Sequence, residues 1–335
     1  MSQTFPYLEV SGTHRELGLA IGKKFQNNLA RRLKQRRSFP AYREYLDRID
    51  PFLFSTRKYF PQLIEEMEGV AAGAKIPFKD IFLFNTSEIH AFYLDRISPA
   101  HCTIAVAFTP DGPVVGHNED WPPNEDAIND LYILKATIEG VTFLGLHYAT
   151  ELPGTSAAMN SFGLVQCINS LYSDSRIGVP KNFVARAILE CRTLEGAEKL
   201  IRKIPRASGF NHVLIQGHQV HNLECATQNF YRTKLTDRPY AHTNHFLHPK
   251  MRPLEKMTDP WLENSQSRLL QAKSLAARVR TREDMQALLS DTNHQKYPIC
   301  RPDETIGSVV LLPAKKEVWV CRSHPCAGKY FPYRL

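Results

Sequence analysis

Residues 101–121 read His101-Cys102-Thr103-Ile104-Ala105-Val106-Ala107-Phe108-Thr109-Pro110-Asp111-Gly112-Pro113-Val114-Val115-Gly116-His117-Asn118-Glu119-Asp120-Trp121. Thr103–Phe108 is apolar and β-branched, the composition of a buried strand. Thr109-Pro110-Asp111-Gly112 is a turn with a mechanism: Pro fixes φ, Asp accepts a local hydrogen bond and Gly supplies φ > 0. Pro113–Gly116 returns as a second strand. With these four residues as the loop, Phe108 pairs with Pro113, and counting outward sets Cys102 opposite Glu119; a register slip of one residue still places it beside Asn118 and Asp120. A cysteine that opens a strand is ordinarily a small buried hydrophobe. One with a carboxylate and an amide across the ladder is a candidate nucleophile.

Outward from this hairpin, the elements alternate in blocks. Residues 14–95 read mostly as helices, among them Glu16–Leu29 and Gln62–Ala74, the latter with Pro61 in its first turn. Phe78–Tyr93 is apolar and aromatic and is expected to cover a sheet. Leu131–Ile138 and Val141–Tyr148 form a second hairpin joined at Glu139-Gly140, and Gly163–Ile168 is a further strand. Helices follow over Asn182–Cys191 and Leu194–Ile204, then strands over His212–Ile215 and Val220–Ala226. Pro260–Arg278 and Arg282–Leu289 are helical, the second opened by a capping box from Thr281 to Asp284. Strands Ile306–Leu312 and Glu317–Cys321 close the chain. Antiparallel hairpins covered by helices predict an α+β layered fold.

The chain has 335 residues, 43% of them hydrophobic and 23% charged, ordinary for a globular protein. No linker, repeat or low-complexity tract divides it, so residues 1–335 are expected to form a single domain. Lys and Arg number 42 against 34 Asp and Glu, a net charge of +8. The basic run Arg31-Arg32-Leu33-Lys34-Gln35-Arg36-Arg37 fits a solvated helix face, and no nucleic-acid partner is expected. No apolar run reaches the roughly 18 residues of a membrane span, and Met1–Pro6 lacks the basic-then-apolar order of a signal peptide. The expectation is a soluble, cytoplasmic protein with its seven cysteines reduced. Cys321 and Cys326, with His324 between them, make half of a zinc site. No second pair with matching spacing completes it, so neither metal nor cofactor is expected. His242, His245 and His248 are left as ordinary hydrogen-bonded residues.

Several stretches, in order, resemble the penicillin acyltransferase family (acyl-CoA:6-aminopenicillanic acid acyltransferase-like), within the cysteine N-terminal-nucleophile (Ntn) hydrolases. They are Val10-Ser11-Gly12-Thr13-His14-Arg15-Glu16-Leu17-Gly18, Gln62–Ala74, Cys102-Thr103, Asn118-Glu119-Asp120-Trp121, Asn160-Ser161-Phe162-Gly163-Leu164, Asn169-Ser170, Gly178-Val179-Pro180, Thr243-Asn244-His245-Phe246, Ser267-Arg268, Thr305–Val310 and Pro325-Cys326. The resemblance implies a four-layer αββα sandwich. It implies self-cleavage between His101 and Cys102, giving a light segment 1–101 and a heavy segment 102–335 that stay associated. The thiol attacks the preceding carbonyl, an N→S shift makes a thioester, and water frees the new terminus. Family members carry Gly before the cysteine; here the residue is His101. Cys102 is then the nucleophile and its own α-amino group, with a reference pKa of about 7.7–8.0, the base. By the same resemblance Asp120 orients that amine, Asn244 donates to the oxyanion and Arg268 favours the thiolate. Asn118, Asn169 and Ser308 are expected on the substrate side. The substrate is a small acyl amide or acyl thioester. The leading expectation is hydrolysis of an N-acyl amino acid, peptide-like amide or β-alanyl amine. An acyl-CoA-dependent N-acyltransferase and a non-catalytic binding protein on the same fold are the rivals.

Overall fold

The computed structural model describes residues 3–90, 101–121 and 125–335. The chain opens with strand β1 (Tyr7–Gly12) and six helices: α1 (His14–Lys24), α2 (Gln26–Arg37), α3 (Tyr42–Arg48), α4 (Asp50–Tyr59), α5 (Pro61–Ala74) and α6 (Phe78–Phe84). The hairpin β2 (His101–Thr109) and β3 (Gly112–Asp120) follows, then α7 (Glu125–Asn129), β4 (Leu131–Ile138), β5 (Val141–Tyr148), β6 (Ala157–Asn160) and β7 (Val165–Ser170). Helices α8 (Lys181–Ile188) and α9 (Leu194–Lys203) precede β8 (Phe210–Gln216), β9 (Gln219–Cys225), β10 (Phe230–Thr236) and β11 (Tyr240–His242). Helices α10 (Trp261–Ala276) and α11 (Arg282–Leu289) lead to β12 (Thr305–Leu312), β13 (Glu317–Arg322) and β14 (Tyr330–Arg334).

The strands form two sheets, one in the order β1-β4-β5-β6-β7-β8-β9-β10 and one in the order β11-β2-β3-β12-β13-β14. The period of two along each strand assigns its faces. On β4, Tyr132, Leu134 and Ala136 face the first helical block, while Leu131 and Ile133 face the second sheet. Ile104, Val106, Val115 and Val309 meet them from that sheet. Its other face, through Ala105, Ala107, Val114 and Val310, takes α10 and α11 at Leu269, Ala272, Met285 and Leu289. Helices, sheet, sheet, helices is the four-layer αββα arrangement the resemblance implied.

The central hairpin has the expected register, Phe108 opposite Pro113 and Cys102 opposite Glu119. Its loop is shorter than read from sequence: Thr109 pairs with Gly112, leaving Pro110-Asp111 as the turn, with Gly112 at φ 106°. The β4–β5 hairpin pairs Ile138 with Val141 around Glu139-Gly140, as expected, and the Thr281–Asp284 capping box is present. Glu16–Leu29 is not one helix. Phe25 leaves the helical region (φ −112°, ψ 25°) to bury its ring 4.5 Å from Tyr132, so α1 and α2 meet there at an angle. The expected Phe78–Tyr93 cover is a helix to Phe84, breaks over residues 85–87 and is helical again at 88–90, and residues 91–93 lie outside the described residues. Strand β1 was not read; it joins β4 in parallel, Tyr7 opposite Ile133.

Helices α1 and α5 touch backbone to backbone. A Cβ on Gly18 would overlap the Glu66 carbonyl, and one on Gly69 would overlap that of Arg15; Gly22 and Gly73 repeat the contact one turn on. Beside this seam Glu66 is fully buried between His14 (2.9 Å) and Arg186 (2.8 Å). Among the described residues, no helix is long and apolar enough to cross a membrane.

Candidate active site

Cys102 is the second residue of β2 and is 4% exposed. Its Sγ donates to Glu119 Oε1 at 3.3 Å, the residue directly across the ladder. Glu119 Oε2 lies 2.9 Å from His117 Nε2, two residues back on the same face of β3. Burial, then the charges of Glu119 and Asp120 and the hydrogen bond to Glu119, push the thiol well above its ordinary pKa, and Arg268 only partly offsets them. The expected guanidinium effect on the thiol therefore exists but loses. The sulfur is a neutral thiol within hydrogen-bond reach of the Glu119 side chain.

The peptide around the sulfur is clamped. The Cys102 N–H donates to Asn244 Oδ1 (3.0 Å), and the Cys102 carbonyl accepts from Arg268 Nη1 (2.7 Å) and Asn169 Nδ2 (3.3 Å). Arg268 also donates to Thr103 Oγ1, Asn244 Oδ1 and Asn264 Oδ1. Burial and neighbouring Arg301 push its guanidinium down to about 9. One face of α10 supplies this clamp: Trp261, Asn264, Ser265 and Arg268 recur at helical spacing. Trp261 stacks on His101 with ring centroids 4.9 Å apart, and Ser265 Oγ accepts from the Asn244 N–H at 2.8 Å. His101 is buried and, among the described residues, neither ring nitrogen has a hydrogen-bond partner; burial followed by the charges of Arg268 and Arg301 pushes it down to about 2. It is a neutral imidazole beside the peptide bond in question.

The structure thus brings His101, Cys102, Asn169, Asn244 and Arg268 together. Asn244 meets Cys102 through its oxygen, while its Nδ2 donates to the Ser170 carbonyl at 3.3 Å. Its oxygen thus holds the Cys102 nitrogen, and its amide nitrogen is turned to a backbone carbonyl. Asp120 lies next to the group, but both of its oxygens are engaged, by Arg301 Nη2 and Thr305 Oγ1, each at 2.6 Å. Asn118 and Ser308 are not brought to the thiol. Alternation puts them on the helix-facing side of the sheet, where Ser308 Oγ donates to Asn118 Oδ1 (2.6 Å) and Asn118 Nδ2 reaches the Leu289 carbonyl (2.9 Å).

Residues 107–326, more than half of the chain, match the family described as Acyl-coenzyme A:6-aminopenicillanic acid acyl-transferase. The chain belongs to that family. Two relatives in it or near it are beta-alanyl-dopamine/carcinine hydrolase of Drosophila melanogaster and the 40 kDa form of acyl-coenzyme A:6-aminopenicillanic-acid-acyltransferase of Emericella nidulans. The first is 23% identical over 92% of this chain and 88% of its own length. The second is 22% identical over 88% and 84%. Among solved structures, the Caenorhabditis elegans ortholog of N-acylethanolamine-hydrolyzing acid amidase superposes with a TM-score of 0.45 at 17% identity, covering 64% of this chain and 93% of that one. Penicillin V acylase from Agrobacterium tumefaciens superposes at 0.45 with 12% identity, over 70% and 86%.

In this acyltransferase-family chain, Glu119, Arg301 and Thr305 join the candidate site through contacts to Cys102 and Asp120, and no motif in the sequence assigns them. Glu119 carried a signal, since the hairpin register already set it opposite Cys102. Arg301 and Thr305 reach Asp120 across more than 180 positions of chain, with no local pattern to announce them. His242 is structural: it bridges Asn169 Oδ1 (3.0 Å) and Glu224 Oε1 (3.3 Å), positioning Asn169. A surface cleft of about 290 Å³ is lined by Thr109, Arg280, Arg282 and Lys315 at the turn end of the central hairpin, the opposite end from Cys102.

Proposed function

We propose that this enzyme of acyl transfer at C–N bonds is a self-processing cysteine amidase. One observation carries the reading: a buried thiol 3.3 Å from a carboxylate, on a residue whose own peptide N–H and C=O are both clamped. In the first stage Glu119 takes the thiol proton, and Sγ attacks the His101 carbonyl carbon. The C–S bond forms, the C–N bond breaks, and the departing Cys102 nitrogen takes up a proton. Water then hydrolyses the thioester, leaving His101 with a carboxylate and Cys102 with a free α-amino group. The unpaired ring nitrogens of His101 favour this outcome, since each buried polar group without a partner costs about 1–3 kcal/mol and cleavage frees the imidazole to leave.

In the second stage the new α-amino group, held by Asn244, is the base, and Cys102 forms an acyl-enzyme with the substrate. Asn244 serves the oxyanion once its Nδ2 leaves the Ser170 carbonyl. Asp120, fixed by Arg301 and Thr305, sets the end of β3 against which the amine is placed. Segments 1–101 and 102–335 stay together as one domain, supported by the β1–β4 pairing and by a core that draws Leu17, Phe52 and Phe82 against Tyr132 and Phe183. The seven free thiols suit a reducing compartment, and we place the protein in the cytoplasm.

The substrate class favoured is a β-alanyl or comparable N-acyl amide, on the strength of the Drosophila relative named for that hydrolysis. The family's description supports the second reading, transfer from an acyl-CoA to an amine. Amine release from a β-alanyl amide is the test. Hydrolysis by wild type and none by Cys102→Ala supports the amidase. Turnover only with acyl-CoA plus amine supports the transferase, and equal activity in the variant refutes both.

A further inference from the structure

Cys326 lies in the turn between β13 and β14, and Cys300 lies in the segment that precedes β12. The Cys300 Sγ, the Cys326 Sγ and a ring nitrogen of His324 all lie within 4.8 Å of one another. His324 Nδ1 is 3.2 Å from the Cys326 sulfur. Sequence spacing alone offered Cys321, His324 and Cys326 and lacked a partner. The fold supplies Cys300 instead, while Cys321 turns away to the Arg322 carbonyl at 3.7 Å.

Both segments are pinned by backbone. The Cys300 N–H donates to the Asp291 carbonyl (2.8 Å), and the Gly328 N–H to the His324 carbonyl (3.1 Å). Ser323, a non-glycine residue at φ 70°, turns the chain so that His324 and Cys326 face Cys300. A Cβ on Gly328 would overlap the Cys321 sulfur, so the turn closes only because that residue is glycine. Two sulfurs and an imidazole are donors for a thiophilic cation, and three protein ligands with an edge open to solvent leave the fourth position to water.

We propose that Cys300, His324 and Cys326 form a binding site for one thiophilic metal ion of the zinc class, outside the amidase site and independent of that reading. The ion would tie the β13–β14 turn to Cys300, whose neighbour Arg301 holds Asp120 at 2.6 Å. Cys102, His117 and Glu119 form a second donor set of similar spread, so the test must separate the two.

The experiment is titration of the reduced, chelator-treated full chain with cobalt chloride, then displacement by zinc chloride. The readout is sulfur-to-cobalt charge-transfer absorption, with metal content measured after gel filtration. One equivalent is expected, unchanged in Cys102→Ala and abolished in Cys326→Ser, whose exposed position leaves the fold intact. His324→Ala is expected to weaken zinc binding at least about tenfold, since it removes one of three ligands. Absence of the absorption in wild type, its persistence in Cys326→Ser, or its loss only in Cys102→Ala would overturn the site. So would a Cys300–Cys326 disulfide in the protein isolated without reductant, shown by peptide mapping.

Discussion

Glu119→Gln isolates the base of the first stage, because the amide keeps the shape of the carboxylate and can still bond His117 Nε2, now 2.9 Å away. Two effects oppose each other. Loss of a positioned base costs about 10²–10⁴-fold in rate. Loss of a like charge beside the sulfur lowers the thiol pKa, and one unit returns about tenfold in thiolate. Burial, the first cause of the raised thiol, is untouched by the change. The balance predicts self-cleavage slower by about 10–10³-fold. The assay follows uncut chain against time after cell-free synthesis, with the melting temperature as a folding control. The pH dependence separates mechanisms. With no internal base, the variant's rate should climb about tenfold per pH unit across about pH 6 to 9, as external base takes over. Cleavage of Glu119→Gln at the wild-type rate and with the wild-type pH profile would refute the role given to this carboxylate.

In α5, Gly69→Ala gains about 1 kcal/mol of helix propensity but drives a methyl into the Arg15 carbonyl. Overpacking costs about 1–3 kcal/mol or more, so a lower urea midpoint is predicted; a more stable variant would contradict the close seam. Asp120→Ala leaves the buried Arg301 guanidinium with the more exposed Glu304 as its remaining ion partner and should cost about 3 kcal/mol. Arg301→Met in the same chain should restore part of it, and strictly additive losses would speak against the pair. Burial alone would raise the Glu66 carboxyl, but Arg186 and His14 outweigh it and hold it below the ordinary range. Its contribution is therefore full above the unfolded value of about 4.3 and lost as pH falls. The melting-temperature gap between wild type and Glu66→Gln should close in acid; a gap independent of pH would show that the ion network contributes nothing.

The central hairpin was legible because its turn chemistry and alternation favour the register that sets Glu119 against Cys102, which the structure has. Helix α11 was legible from its cap. The break at Phe25 was not, because a helical pattern runs through it and only the ring of Tyr132, more than a hundred residues on, draws Phe25 out. Strand β1 lies at a sheet edge and alternates exposed with half-buried residues, none of them fully buried, so its apolar signal is weak. Strand β10 alternates from Tyr231 to Thr236 but buries none of its residues fully, so its apolar signal is weak among polar neighbours. At the candidate site, the hairpin singles out Cys102, and family motifs point to Asn169, Asn244 and Arg268. The Arg301–Asp120 bond and the Cys300–Cys326 approach exist only through tertiary folding, where spacing in sequence has no bearing.

The most direct measurement is intact-protein mass spectrometry under denaturing conditions, on freshly prepared wild type and Cys102→Ala. Two fragments meeting at His101/Cys102 in wild type, and one undivided chain in the variant, are predicted. A single undivided chain in both would contradict self-processing and with it the α-amino base of the second stage.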